Sequence, residues 1–273
     1  MMKGLIAKKI DYKAQGQRLK EKAIKLLINS GYGCFGYSYF DYQDPRVAEL
    51  TTAFGRYTLK HLEKFVGKEN VLYGDTDSLY IREENDAIVA EATSLGVKLE
   101  VDKRWQKLFL TPNKKQYFGL VNGELVYTTL TGLKNNQPAY FNRVTRSLIE
   151  ICLEGADAVD YFRSQFTDLE GNLDELSYSQ KSTKALHDYG SNGWQRQIYD
   201  EILEDYGTDL AQSKSQVGAV YRYWKIKGKG RSVTILPERY ELNMTKYKEE
   251  LFICVEPILQ AYGVEEVELD RLW

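Results

Sequence analysis

Three short stretches concentrate residue types that can handle phosphate groups and a divalent cation. In Lys25-Leu26-Leu27-Ile28-Asn29-Ser30-Gly31-Tyr32-Gly33, a helix would bring Lys25, Asn29, Tyr32 and Gly33 to one face, at i, i+4, i+7 and i+8. A lysine there is a point cation for phosphate. The tyrosine offers a flat surface to a base or sugar, and the glycine permits close approach. In Tyr73-Gly74-Asp75-Thr76-Asp77-Ser78 two carboxylates stand two residues apart; on a strand they would face the same way and could converge on one metal. Magnesium takes oxygen ligands and is often held by one or two carboxylates together with substrate phosphates. Lys114-Lys115-Gln116-Tyr117, read as a strand, sends Lys115 and Tyr117 one way and Lys114 the other, a grip for a nucleic-acid backbone. Each stretch also has a plainer reading. These are an amphipathic helix with a snorkelling lysine, a surface turn, and an edge strand guarded by lysines.

The elements that must position these groups follow from local pattern. A proline-free run from about 12 to 28 predicts a helix, broken by Gly31, Gly33 and Gly36. Asp44-Pro45 reads as an N-cap followed by a first-turn proline. Val47, Leu50, Phe54, Tyr57, His61 or Leu62, and Phe65 then recur at helical spacing, and Gly67 ends the run. Val71-Leu72-Tyr73 and Ser78-Leu79-Tyr80-Ile81 are β-prone arms around Gly-Asp-Thr-Asp, which predicts a hairpin. Residues 83–97 read as helix and about 99–131 as a second β region. Asn122-Gly123 between two apolar runs marks a two-residue turn. Beyond Pro138 helices are expected at about 139–166, 195–206 and 245–261, with a basic β-like stretch at 219–236. The segment Asn135-Asn136-Gln137-Pro138 is the expected domain boundary.

Bulk properties narrow the class. At 273 residues, with 43% hydrophobic and 28% charged content, the chain can bury a real core as one or two globular domains. No run approaches the roughly 18 apolar residues of a membrane span, and the N-terminal apolar segment is too short for a signal peptide. No membrane role is therefore expected, and a cytoplasmic, nucleoid-associated location is. Cys34, Cys152 and Cys254 lie far apart, so reduced thiols are expected and a cysteine zinc site is not. The net charge of −2 speaks against a uniformly basic nucleic-acid binder. The cations nevertheless cluster at 8–25, at 103–115, and at Lys225, Lys227, Lys229 and Arg231, and phosphate contact needs only a local basic surface.

Taken in order, the three stretches resemble the C-terminal half of family B DNA polymerases. Lys25 to Gly33 match every fixed position of that family's KxxxNSxYG motif, and Tyr73 to Ser78 match YxDTDS. The later KK(R/K)Y motif is matched except that Gln116 replaces a basic residue. Thr131-Gly132-Leu133-Lys134 continues the resemblance, although Asn135-Asn136-Gln137 stand where the family often has Arg-Arg-Asp. Tyr223 to Arg231 and the closing helix resemble the thumb. The resemblance implies an α+β fold: a palm, an antiparallel sheet with packed helices, followed by a mostly helical thumb. It divides the chain into a fingers helix at 1–34, a palm at 35–137 and a thumb with its tail at 138–273. It further implies that Lys25 contacts the incoming deoxynucleoside triphosphate, with Asn29 close by and Tyr32 and Gly33 under the nascent base pair. Asp77, supported by Asp75, would be the principal ligand of Mg2+. Lys114, Lys115, Tyr117, Lys225, Lys227, Lys229 and Arg231 would hold the primer–template DNA.

The family's other metal-binding carboxylate belongs to a DxxSLYPS motif that precedes the Lys25 helix, and residues 1–24 contain none. Two-metal phosphoryl transfer needs ligands around both ions. With a methionine just ahead of the first motif, the expectation is the small subunit of a split archaeal-type polymerase. A large subunit would supply that motif and an exonuclease, and this chain would be inactive alone. The tail, Glu266-Val267-Glu268-Leu269-Asp270-Arg271-Leu272-Trp273, has the spacing of a sliding-clamp peptide with glutamate for glutamine. Leu269, Leu272 and Trp273 would be its anchors; an acidic tail with an apolar end is the plainer reading. Two further functions stay open: a non-catalytic DNA-binding or assembly subunit, and a glycosyltransferase using Asp75 and Asp77 on a sugar nucleotide.

Overall fold

The chain forms helices separated by three small antiparallel sheets, an α+β architecture. The computed structural model describes residues 2–41, 43–228 and 230–269, without the side chains of Met2, Tyr32 and Val267. It divides into two compact units, Met1–Val101 and Asp102–Trp273.

In the first unit, α1 (Met2–Ala14) and α2 (Arg18–Phe35) make an antiparallel hairpin. The break falls at Gly16, whose φ of +68° ends α1, and α2 then runs through Gly31 and Gly33. The expected order of continuous and broken backbone is thus reversed. An interior glycine costs only about 1 kcal/mol against alanine, whereas a left-handed residue stops a helix outright. α3 (Pro45–Val66) starts as its sequence predicts, with the Asp44 carboxylate accepting from the Arg46 N–H at 3.1 Å. Of the expected stripe Leu62 is buried and most of the rest is not. Thr58, Leu62 and Val66 are covered, while Val47, Leu50, Phe54, Tyr57 and Phe65 are exposed. Periodicity locates an apolar face but not its cover. Leu62 and Val66 pack with Ile88 and Ala92 of α4 (Ala87–Ser94), flanked by Leu79 and Ile81. His61 Nε2 meets Glu91 Oε1 at 2.5 Å across the same seam. At about 1.5–3 kcal/mol per fully buried aliphatic side chain, this is a thin core. β1 (Val71–Asp75) and β2 (Ser78–Ile81) form a two-stranded ribbon beside α3.

The second unit is densely packed. β3 (Trp105–Leu110), β4 (Tyr117–Val121) and β5 (Glu124–Thr128) form a meander with β4 central. Asn122 and Gly123 both have positive φ, +53° and +78°, between the paired residues Val121 and Glu124. This is the two-residue hairpin turn expected from Asn-Gly. The sheet buries Phe118 in one core with α5 (Ala139–Glu154), α6 (Ala158–Asp168), α7 (Trp194–Tyr206) and α9 (Met244–Tyr262). Phe109 stacks on Phe118 at 4.9 Å, and Lys107 Nζ donates to the Leu153 carbonyl at 2.6 Å, capping the end of α5. The meander therefore shares the core of the helices that follow it, and the break expected at 135–138 lies inside this unit. Gly132 explains why: a Cβ there would stand 2.0 Å from Thr145 Oγ1 of α5, so only glycine lets that linker press onto the helix. A second sheet, β6 (Tyr178–Lys181), β7 (Val220–Lys225) and β8 (Val233–Thr234), lies in the same unit with α8 (Thr208–Lys214) and the short α10 (Glu266–Leu269).

Candidate functional site

α2 is uninterrupted from Arg18 to Phe35, so Lys25, Asn29, Tyr32 and Gly33 share one helical face, as their spacing requires. Lys25 and Asn29 are exposed. On the other side of the helix Leu26 and Leu27 are 69% and 53% exposed, and Ile28 is half-buried. The helix presents both a polar and an apolar surface to its surroundings.

The carboxylate pair sits differently from a strand pair. Asp75 ends β1, paired with Ser78, and Thr76-Asp77 is the turn itself. The two acids are related by a tight turn and not by strand alternation. Thr76 has φ of +52°, a conformation that β-branched residues adopt at a cost of order 1–3 kcal/mol. The Asp77 N–H donates to the Asp75 carbonyl at 2.6 Å across it, a γ-type turn. Thr76 Oγ1 donates to Asp75 Oδ1 at 2.9 Å, and Ser78 Oγ to the Asp75 carbonyl at 3.1 Å. These bonds orient Asp75, which is half-buried. The Asp77 carboxylate is exposed and has no side-chain partner among the described residues. Tyr73 and Tyr80 flank the ribbon as a cross-strand pair, ring centroids 5.5 Å apart. The Thr76 strain has no local signature, because threonine is not a residue that favours positive φ.

Two carboxylate oxygens donors on a constrained turn suit a hard divalent cation, but they form only part of a cage. Among the described residues no group of three or more His, Cys, Asp or Glu side chains is placed to hold a metal. Such a donor pair is compatible with Mg2+ only if further oxygen ligands are supplied from elsewhere.

Lys114 and Lys115 lie in the β3–β4 turn and not on a strand, because Lys115 adopts φ of +66°. The strand-alternation expected of Lys114, Lys115 and Tyr117 therefore fails for the lysines; Tyr117 alone is in β4. The turn is tied down: Thr128 Oγ1 and Thr129 Oγ1 each donate to the Lys115 carbonyl at 2.7 Å. Gln116, standing where a basic residue was expected, donates through Nε2 to Thr131 Oγ1 at 3.3 Å. Tyr117 packs edge-on against Trp105 at 5.6 Å.

The basic stretch after β7 is largely neutralised within its own unit. Lys225 Nζ pairs with Glu250 and lies 4.4 Å over the Tyr178 ring. Arg231 reaches Glu204 at 3.0 Å, Glu201 at 3.4 Å and the Tyr240 hydroxyl at 2.8 Å. Glu201 is fully buried and also accepts from Thr234 Oγ1 and the Ile235 N–H, so this is an internal clasp between α7 and β8. Lys227 pairs with Glu241 at 2.5 Å, both exposed. Such a pair is worth about 0–1 kcal/mol and exchanges readily for another anion. Lys229, Leu272 and Trp273 fall outside the described residues. Leu269 is 2% exposed and belongs to the core of its unit, which makes it an anchor of the tail.

Comparison with known proteins bears on the whole chain. The model of the family described as DNA polymerase family B matches residues 2–232. DNA polymerase 1 of Saccharolobus solfataricus is 29% identical over 271 residues, covering 91% of this chain and 30% of that protein. The DNA polymerase alpha catalytic subunit of Mus musculus is 39% identical over 117 residues, covering 38% of this chain and 8% of that protein. The solved structure of a family B DNA polymerase from the hyperthermophilic archaeon Pyrobaculum calidifontis aligns with a TM-score of 0.65 at 21% identity. It covers 97% of this chain and 38% of that one, a likeness of fold. The chain thus spans about a third of the length of the archaeal polymerases it matches.

Proposed function

The chain belongs to DNA polymerase family B, and on that premise we propose that it is the small subunit of a split DNA-directed DNA polymerase, inactive until a large subunit docks. The reading assigns residues 1–34 to a fingers helix, 35–137 to the palm and 138–273 to the thumb. The observation that carries it is the Asp77 carboxylate, exposed, unpartnered among the described residues and mounted on a strained turn. An open carboxylate held on a constrained turn beside a second acid is accessible to a divalent cation.

In this scheme Lys25 neutralises charge on the triphosphate of the incoming deoxynucleotide, Asn29 orients it, and Tyr32 with Gly33 bounds the space for the new base pair. Asp77, braced by Asp75, holds Mg2+, which when bound offsets phosphate charge and lowers the pKa of the attacking primer hydroxyl. Thr76 and Ser78 keep Asp75 in one orientation through the hydrogen bonds described above. Lys114, Lys115 and Tyr117 grip the primer–template, with Lys227 and Lys229 as exchangeable phosphate contacts; Lys225 and Arg231 serve mainly as internal clasps. The remaining metal ligand, in the DxxSLYPS motif, and the exonuclease come from the large subunit. The exposed apolar face of α2 and α3, including Leu26, Leu50 and Phe54, supports a protein partner at this unit. Docking of a sliding clamp on the tail would rest on Leu272 and Trp273, since Leu269 is committed to the core.

The test is primer extension in Mg2+ with and without the large subunit. The chain alone should add no nucleotide, and the complex should extend the primer. Asp77→Ala should reduce extension to background while leaving the complex intact by gel filtration. Extension that survives in that variant rules out the metal role; activity of the chain alone rules out the split arrangement. The non-catalytic alternative predicts that Asp77→Ala and Lys25→Ala leave the activity of the complex unchanged. Family membership leaves the sugar-nucleotide reading without support.

A further inference from the structure

Apart from the polymerase motifs, the second unit contains a groove of about 660 Å³ between α7, α8 and β7. Its floor is aliphatic, built from Ile198, Ile202, Leu210 and Ile235, with Tyr206 and Tyr221 beside them. Three consecutive residues of β7, Val220, Tyr221 and Arg222, all line it. Consecutive strand residues point to opposite faces, so the groove runs along the edge of β7 and not over one face of the sheet.

That edge is open for a specific reason. β7 pairs with β6 along Val220–Tyr223, but β8 joins its other side only at Trp224 and Lys225. The next residue after β8, Ile235, sends its N–H to Glu201 Oε2 at 2.8 Å. Beyond that bond to the buried carboxylate the pairing with β7 is not continued, so the Val220–Arg222 edge has no described strand on this side.

The charges at the rim stand apart from their neighbours. Arg196, Arg239, Arg231, Lys225 and Lys227 each have a carboxylate partner. Lys214 and Arg222, which line the groove, have none among the described residues. Arg222 donates to Ser177 Oγ at 2.7 Å and lies over the Trp224 ring. Val220 is 64% exposed, so a β-branched apolar side chain stands open at the mouth of the groove.

We propose that this groove is a docking site for an extended acidic segment of a partner polypeptide, which adds a strand to the edge of β7. Backbone hydrogen bonds along Val220–Arg222 supply register, alternate apolar side chains cover the aliphatic floor, and acidic side chains meet Lys214 and Arg222. A nucleic-acid strand satisfies the two cations but leaves the aliphatic floor uncovered, so the peptide is the occupant favoured.

The probe is a fluorescein-labelled peptide of five Glu-Val repeats, titrated against the full chain at pH 7.5 by polarisation. A Lys-Val repeat and an oligothymidylate serve as the other arms. The acidic peptide should bind saturably and the basic one should not. Lys214→Glu and Val220→Asp, both at exposed positions, should each weaken binding by roughly tenfold or more without changing the circular dichroism spectrum. Amide exchange at Val220–Arg222 should slow when peptide is bound. Absence of saturable binding up to about 1 mM, or binding unaffected by Lys214→Glu, overturns the proposal. So does competition by oligothymidylate with the same loss in Lys214→Glu, which would make the two cations phosphate contacts.

Discussion

The two units of this chain solve the problem of burial in opposite ways. The second encloses α5 and α9 residues such as Tyr140, Leu148, Tyr247 and Ile258 completely, and partners most cations of its β7–β8 segment with its own carboxylates. Among its described residues the first buries four apolar side chains and leaves long stripes of α2 and α3 bare, Leu50 at 72% exposure among them. The residues with unspent chemistry, Lys25, Asn29 and Asp77, lie in the thinly packed unit. The second unit satisfies most of its own groups, whereas the first leaves these exposed.

The comparison can be broken most decisively by separating the halves. Residues 102–273 expressed alone should give a cooperative urea transition, and residues 1–101 alone should not. A sharp, independent transition for the first half would remove the contrast. Next in size, Glu201→Ala strips Arg231, Thr234 and the Ile235 N–H of a shared buried partner. It should cost the second unit about 3–5 kcal/mol by urea denaturation; a loss below about 1 kcal/mol would mean the clasp is incidental.

Alkaline pH tests the same unit more gently. Burial pushes the Tyr140 and Tyr223 hydroxyls up to about 12, while in the unfolded chain tyrosine ionises near 10. Above about pH 10 the unfolded state sheds protons that the folded state keeps, so stability should fall progressively up to about pH 12 and be fully present below pH 10. A midpoint for residues 102–273 that stays constant over that window contradicts the tight packing. The smallest effect is the most discriminating for the first unit. Leu50→Lys should change stability by no more than about 0.5 kcal/mol, since nothing in its unit covers Leu50, yet it should weaken association with the large subunit in a pull-down. A large stability loss would show that Leu50 already has a cover.

What could be read from the residues alone was whatever is decided within a few positions. Asp44-Pro45 and Asn122-Gly123 act on their immediate neighbours, and both behave as expected. The turn around Lys115 and the strained Thr76 escaped because neither residue type favours positive φ; longer-range hydrogen bonds from Thr128 and Thr129 hold the former. The pairing of Lys225 with Glu250 and of Arg231 with Glu201 joins residues far apart in sequence, so a run of cations said nothing about its neutralisation. The α3 stripe was legible as a pattern, yet its cover is a tertiary fact. For the carboxylate turn the two acids are evident from the sequence, whereas the curvature that presents Asp77 depends on how β1 pairs with β2.

The turn bearing Lys114 and Lys115 is lashed to Thr128, Thr129 and Thr131, and the next residue, Gly132, is pressed against α5 with no room for a methyl group. Slack is therefore missing from the path between the lysine pair and the helix bundle. The backbone that carries the two lysines is thereby coupled to α5, and a displacement of one is felt by the other.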